Sequence, residues 1–297
     1  MAGSFLYGKE DSMELKLTAQ REGRLSSFLK EELKMSTGLI NKLKWGDGIR
    51  VNGESRRTNY PVRSGDVITV RMEEEEPEYP AEEGSLDILY EDDYFLVVDK
   101  PAGMLIHPSR SKNDGTLANF VFGYYQKTGQ KSAFHPMTRL DRDTFGIVLL
   151  AKNAHVHALL QTAEVEKTYH AIVYGVPEAE SGVIDAPIAR RPLPSLLRYV
   201  GEEGKPSVTE YKVLECDGKL CKLALRPITG RTHQLRVHCS HMGWPILGDP
   251  QYGSEESMAV SAEMAVPHQL LCARKLVFTH PVTGKNMVLE SHMDAEI

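Results

Sequence analysis

Thr138-Arg139-Leu140-Asp141-Arg142-Asp143-Thr144-Phe145-Gly146 runs straight into Ile147-Val148-Leu149-Leu150. The first nine residues are mostly polar and turn-forming. The next four are aliphatic and read as a strand buried on both faces. The junction sets a carboxylate, Asp141, at the mouth of that strand. Such a placement is costly unless the acid is paired or hydrogen-bonded. Judged alone, Asp141 would more simply cap a turn or helix, the common use of Asp near glycine. The rest of the chain decides between the two.

Around this junction the residues from 86 onward are rich in strand signals. Leu86-Asp87-Ile88-Leu89-Tyr90 alternates, Phe95-Leu96-Val97-Val98 is solidly apolar, and Lys100-Pro101-Ala102-Gly103 turns the chain. Strands are expected again at 147–151, 170–175, 220–225 and 270–278, with Cys221, Leu223 and Leu225 on one face and Lys222 on the other. A helix is expected over 153–164, with Val156, Leu159, Leu160 and Ala163 inward. Thr232 is placed to cap another, with Leu235, Cys239 and Met242 inward and Gly243 ending it. Strands outnumber helices and do not alternate regularly with them. The pattern predicts an α+β domain on a mixed, largely antiparallel sheet.

The chain before residue 86 differs in character. Leu25, Phe28, Leu29 and Leu33 recur at helical spacing, and Leu39, Ile40 and Leu43 begin a second stripe behind a cap at Ser36 or Thr37. Ile49-Arg50-Val51, the tight-turn pair Asn52-Gly53 and Val67-Ile68-Thr69-Val70 add short strands. Residues 16–72 hold twelve Lys or Arg against six Asp or Glu, whereas residues 73–84 hold seven Glu and no base. The expected divisions are a tail over 1–14, a basic small domain over 15–72, an acidic linker over 73–85 stiffened by Pro77 and Pro80, and a large domain over 86–297. A basic appendage suits a polyanion, although a solvated surface would give the same imbalance.

Composition excludes several classes. Hydrophobic content of 41% and charged content of 26% are ordinary for a globular protein. No apolar run approaches the ~20 residues of a membrane helix. Met1-Ala2-Gly3-Ser4-Phe5 has no basic segment leading into an apolar stretch, so no secretion signal is expected. Cys216, Cys221, Cys239 and Cys272 form no Cys-x-x-Cys pair, which argues for a reducing, cytoplasmic setting and against a disulfide framework or zinc ribbon. His233, His238 and His241 do not share one helical face, so no metal is expected there. There is no glycine-rich phosphate loop or dinucleotide fingerprint, and no cofactor is expected.

Four pieces occur in order: Glu91-Asp92-Asp93 leading to Asp99-Lys100-Pro101-Ala102-Gly103-Met104 with His107-Pro108; Arg139-Leu140-Asp141 through Gly146; Lys167-Thr168-Tyr169-His170-Ala171; and Gly230 to His238, continuing to Gly248-Asp249-Pro250 and Tyr252-Gly253. Together they resemble the RluA/RluD family of pseudouridine synthases over residues 86–290. Arg50-Val51-Asn52-Gly53 and Gly65-Asp66-Val67-Ile68, with Lys34, Lys42, Lys44 and Arg50 along one path, resemble an S4-like RNA-binding domain. Two positions depart from the family pattern: Thr138 stands where His is usual, and Phe145 where Ser or Thr is usual.

The resemblance implies an enzyme that isomerises uridine in RNA, ribosomal RNA by family analogy. The N1–C1′ bond breaks, the base turns, and C5 bonds to C1′. Asp141 is the implied catalytic acid, as nucleophile or as base, with Arg236 its cationic partner and Tyr169 stacking on an extruded uracil. Arg139 is expected to fill the space that the base vacates, and Arg231, Lys42, Lys44 and Arg50 to contact RNA. From pattern alone, Arg236 would be a surface helix arginine and Tyr169 a core residue. A non-catalytic ribosome-assembly protein with the same fold, and a base-removing glycosylase, are the competing classes. A pure binder has no need of a carboxylate facing a polyanion.

Overall fold

The computed structural model describes residues 5–7, 12–73, 79–109, 112–161, 163–192, 194–195 and 197–296. At the centre lies strand Phe145–Ala151, buried along its whole length, as its apolar run requires. It pairs antiparallel with the equally buried Phe95–Lys100, and Asp87–Glu91 closes that edge. On its other side it meets Leu271–Thr279 in parallel, through Phe145 opposite Cys272 and Gly146 opposite Ala273. Beyond it, Val165–Tyr174, Leu220–Pro227, Val208–Asp217 and Ser181–Asp185 follow as antiparallel neighbours. The result is the mixed, largely antiparallel sheet of an α+β fold that the strand signals predicted.

The parallel contact is short, and Gly146 makes it possible. Its φ is 103°, and a Cβ there would lie 2.4 Å from the carbonyl oxygen of Ala273. No side chain fits. The pinch fixes the first residues of the buried strand against the sheet centre, and so fixes the turn carrying Asp141. Phe145 fills an apolar cluster with Ile172, Leu247 and Leu270. Thr138 is buried, and its hydroxyl accepts the Leu149 backbone N–H at 3.2 Å. Both departures from the family pattern therefore sit in packed positions.

Residues 12–73 build their own sheet and core. Ser12–Thr18, Val67–Glu73, Ile49–Val51 and Glu54–Ser55 are successive neighbours. Phe28, Leu29, Ile40, Ile68 and Val70 are buried beneath them. The Ser36 side chain caps helix Thr37–Leu43 through the Leu39 N–H. Asn52 and Gly53, at φ 53° and 83°, form the expected tight turn. The expected tail over 1–14 is corrected, because Phe5–Tyr7 adds an edge strand that pairs with Met13–Leu15, and Ser12 pairs with Glu73.

Other expectations are also revised. Residues 74–78 of the acidic linker lie outside the described residues, but 79–84 are docked rather than a free spacer. The Asn119 side chain donates to the Pro80 carbonyl, the Glu82 N–H donates to Asn119 O, and the Glu82 carboxylate takes the Gly115 N–H. Their seat is helix Leu117–Thr128, which the sequence pattern does not announce. Thr232 does not cap the downstream helix. Gln234–His241 begins behind His233, held in the left-handed region at φ 58° with no side-chain cap. Met242 is exposed rather than inward. Cys216 and Cys221 oppose each other across a hairpin, 4.1 Å apart at Cα, and form a disulfide where free thiols were expected.

Gly146→Ala is expected to lower the unfolding free energy by about 2 kcal/mol or more, from positive φ and backbone overlap together. Gly46→Ala, where an added Cβ meets nothing within 4 Å, should stay within about 0.5 kcal/mol. Urea denaturation of the two variants checks this.

Candidate active site

A cavity of about 460 Å³ opens between the turn at 138–144, strand Val165–Tyr174 and the loop at 228–234. This volume is in the range of small-molecule pockets. The Asp141 carboxylate, 30% exposed, reaches into it from the turn. The Thr144 N–H donates to the Asp141 carbonyl at 3.2 Å, and the Thr144 hydroxyl accepts from Gln269 at 2.7 Å. The backbone bond closes the turn, and the hydroxyl ties it to the distant Gln269.

Arg236 organises the charge. It rises from helix Gln234–His241 with only 5% of its side chain exposed. Its Nη1 donates to Asp141 Oδ2 at 2.9 Å. Its Nε and Nη2 donate to the two oxygens of Asp249 at 2.7 and 2.8 Å, and Nη2 also reaches Gln251 Oε1 at 2.9 Å. Asp249 is fully buried, and its Oδ1 takes the N–H groups of Gln251 and Tyr252 as well. Burial alone would make the guanidinium easier to deprotonate. The hydrogen bonds and charge of Asp249, then of Asp141, outweigh it and raise its pKa further. The side-on grip of Asp249 fixes the guanidinium plane and leaves one edge for Asp141.

A second buried cation secures the turn from below. Lys100 is 0% exposed, and its Nζ donates to the carbonyls of Pro101, Met104 and Arg142 at 2.9, 2.9 and 3.0 Å. All three ammonium hydrogens are used. One of these bonds ties the residue after Asp141 to the end of the neighbouring strand. Burial pulls the Lys100 pKa down to about 8, partly offset by Asp143 and Asp141.

His233 forms another wall. The Tyr252 hydroxyl accepts the Arg198 N–H at 3.0 Å, so its own hydrogen can go to His233 Nδ1 at 2.8 Å. That assignment leaves the imidazole hydrogen on Nε2, 3.8 Å from Asp141 Oδ1. Burial lowers the His233 pKa against the opposing pull of Asp141. The Tyr252 ring lies under Arg236, 5.0 Å from its guanidinium carbon. Opposite, Tyr169 lines the cavity at a bulge, where the pairing with Leu271–Thr279 shifts between Thr168 and Tyr169. Its phenol pKa is raised by desolvation and then by the Asp141 charge. Lys167, half-buried on the same strand, has its pKa lowered by burial.

Of the residues singled out from sequence, Asp141, Tyr169 and Arg236 converge on this cavity, with exposed Arg139 and Arg231 on its lining. Arg231 is anchored by its Nε to the Pro206 carbonyl at 3.2 Å. Lys42, Lys44 and Arg50 belong instead to the unit built by residues 12–73, where Arg50 Nη2 lies 3.6 Å from Asp47. Asp249, Lys100, His233, Tyr252 and Lys167 were not given roles from sequence. Asp249 and Tyr252 lie within the fourth motif piece, but only the folded loop turns them toward Arg236.

Residues 94–241 match the profile of the RNA pseudouridylate synthase family. The uncharacterized RNA pseudouridine synthase YjbO of Bacillus subtilis is 38% identical over 263 residues, covering 86% of this chain and 90% of that protein. The ribosomal large subunit pseudouridine synthase D of Pseudomonas aeruginosa is 37% identical over 255 residues, covering 82% and 79%. The solved structure of human RNA pseudouridylate synthase domain containing 1 superposes with a TM-score of 0.56 at 27% identity, over 73% of this chain and 94% of that one. The family match and the named relatives make this an RNA-modifying isomerase. The chain belongs to the family of RNA pseudouridine synthases.

Lys100 gives a pH prediction. Between about 8 and the ordinary 10.5 the unfolded chain holds this proton more strongly than the folded one, so folding gains stability as pH rises through that window. Lys100→Met should lose that gain. Urea unfolding of both proteins from pH 7 to 10.5 reads the difference, and parallel pH dependences would refute it.

Proposed function

We propose that Asp141 is the catalytic carboxylate of uridine isomerisation, with Arg236 as its charge partner. The supporting observation is the 2.9 Å contact between them, made by a guanidinium that buried Asp249 already grips on its other edge. The reaction breaks the N1–C1′ bond of a uridine and forms C5–C1′. The proton leaves C5, and N1 ends protonated, so nothing is oxidised or reduced. A carboxylate beside C1′ suits either attack on the sugar or proton removal from it. No step calls for chemistry beyond the side chains of this chain, and the reading assigns no cofactor.

A stacked uracil cannot reach Asp141, so the nucleotide must swing out, which costs a few kcal/mol. Tyr169 offers the extruded base an aromatic surface, worth about 1–3 kcal/mol. Arg139, exposed at the cavity, suits the gap left in the RNA, and Arg231 suits a neighbouring phosphate. His233 presents a hydrogen-bond donor to the same space. The RNA is ribosomal on the analogy of the large-subunit synthases among the relatives, and the enzyme then works in the cytoplasm.

The reading divides the chain into an RNA-binding module over 12–73, S4-like in its pattern, and a catalytic domain over 86–296. Lys42, Lys44 and Arg50 give the module its phosphate contacts. Its excess of basic residues favours this over a purely structural role.

Two measurements test these assignments. With C5-tritiated ribosomal RNA from cells lacking the protein, wild type should release tritium, and Asp141→Asn should be slower by about 10²–10⁴-fold or more. Equal release would remove Asp141 from the mechanism. For the module, Lys42→Gln with Arg50→Gln should flatten the dependence of log affinity on log salt by about 0.9 for each phosphate no longer neutralised. An unchanged slope would remove those residues from the interface.

A further inference from the structure

Trp45 is the most exposed large apolar side chain among the described residues, at 79% of its full accessibility. It follows helix Thr37–Leu43 by two residues, in the turn leading to strand Ile49–Val51. Nothing in the core of that unit needs it, since the unit's apolar cluster closes without it. A single exposed aliphatic residue calls for no explanation, but an indole left in water is rarer. The ring is also held in place. Lys44 Nζ lies 5.1 Å from its centroid and donates to Asn41 Oδ1 at 2.9 Å. This is a cation–π contact with its ammonium tethered on the other side.

Beside the ring is a shallow hollow of about 550 Å³, lined by Lys44, Trp45, Asp47, Ser55, Arg56 and Arg57. Three cations and one carboxylate face it, and Asp47 is 3.6 Å from Arg50 outside the lining. Arg56 lies over the Tyr60 ring at 4.7 Å and pairs with Glu54, so its position is fixed. Arg57 is exposed. A membrane surface or an acidic protein could meet the charge. Neither explains a planar ring standing beside a hollow with a hydroxyl and two guanidinium groups around it.

We propose that Trp45 is a stacking platform for one unpaired nucleotide of the RNA, with Arg56 and Arg57 taking the flanking phosphates. Aromatic–base stacking tolerates any sequence, and guanidinium groups suit phosphate oxygens. The platform lies in a different unit from the catalytic cavity. It therefore contacts a part of the RNA other than the target uridine. The proposal rests on the reading of residues 12–73 as an RNA-binding module, and it specifies that module's ligand as single-stranded RNA.

The chain has two tryptophans, and the other, Trp244, is buried at 4% exposure. Both indoles emit, but burial keeps a ligand off Trp244, so quenching by stacking reports on Trp45. The full-length protein is titrated with a short single-stranded oligouridylate and with the same length of uridylate–adenylate duplex. The single strand should quench the emission and the duplex should not. Quenching should persist in Trp244→Phe and vanish in Trp45→Phe. Oligouridylate affinity should fall about 5- to 100-fold in Trp45→Ala and stay within about threefold in Trp45→Phe. Unchanged affinity in Trp45→Ala, or equal quenching by duplex, would overturn the proposal and leave the indole to a protein partner. The module reading is separated by Lys44→Gln with Arg57→Gln. If those variants flatten the salt dependence while Trp45→Ala changes nothing, only the stacking platform falls. If neither changes binding, both fall.

Discussion

One guanidinium shared between two carboxylates holds the site together. Arg236 is nearly buried, and a buried charge persists only with a partner and with its donors used. Asp249 supplies the partner charge, with both of its oxygens on Arg236 and two backbone N–H groups holding it in turn. Asp141 then has a different status. It is not required to neutralise Arg236, and it remains partly exposed to the cavity. The arrangement separates two tasks that a single ion pair would confuse. One acid positions the cation, and the other is left facing the cavity. Removing one member of such a buried pair typically costs about 3–5 kcal/mol, so the arrangement is held firmly.

The turn that carries Asp141 is constrained from two further directions. Gly146 lets the following strand touch Leu271–Thr279 at backbone distance, and Lys100 ties the Arg142 carbonyl to the end of Phe95–Lys100. Both constraints act through the backbone, so they set where Asp141 starts rather than how its side chain turns. Side-chain direction comes from Arg236. Orientation to within a fraction of an ångström is what converts a bound nucleotide into a reacting one. The position of the Asp141 backbone rests on three strands distant in sequence and adjacent in the sheet.

Much of this was legible in the sequence. The apolar run after Gly146 marked the central strand, and the strand-rich pattern marked the sheet. The ordered motifs brought Asp141, Tyr169 and Arg236 together on paper as they are in space. Other parts were not legible, for physical reasons. Helix Leu117–Thr128 carries the run Phe120 to Tyr125 through its middle, aromatic and β-branched residues around Gly123 that are poor helix formers, and its helicity comes from packing and a capping box. Glu82 docks there because Gly123 has no side chain, since a Cβ would lie 1.9 Å from the Glu82 carbonyl oxygen. Asp249 sits in Gly248-Asp249-Pro250 and looks like any turn aspartate until the loop folds back. His233 takes a left-handed conformation that its residue type does not announce. The Cys216–Cys221 bond joins cross-strand neighbours, a spacing that a search for Cys-x-x-Cys passes over.

On the assignment of Asp141 proposed above, Asp249 serves catalysis by fixing Arg236 against it. The most direct test is steady-state kinetics of Asp249→Asn on ribosomal RNA, with circular dichroism to verify that the variant is folded. Asparagine keeps the shape but loses the charge and one acceptor, so turnover should fall by about 10²-fold while RNA affinity is unchanged. Turnover equal to wild type in the folded variant would contradict the account.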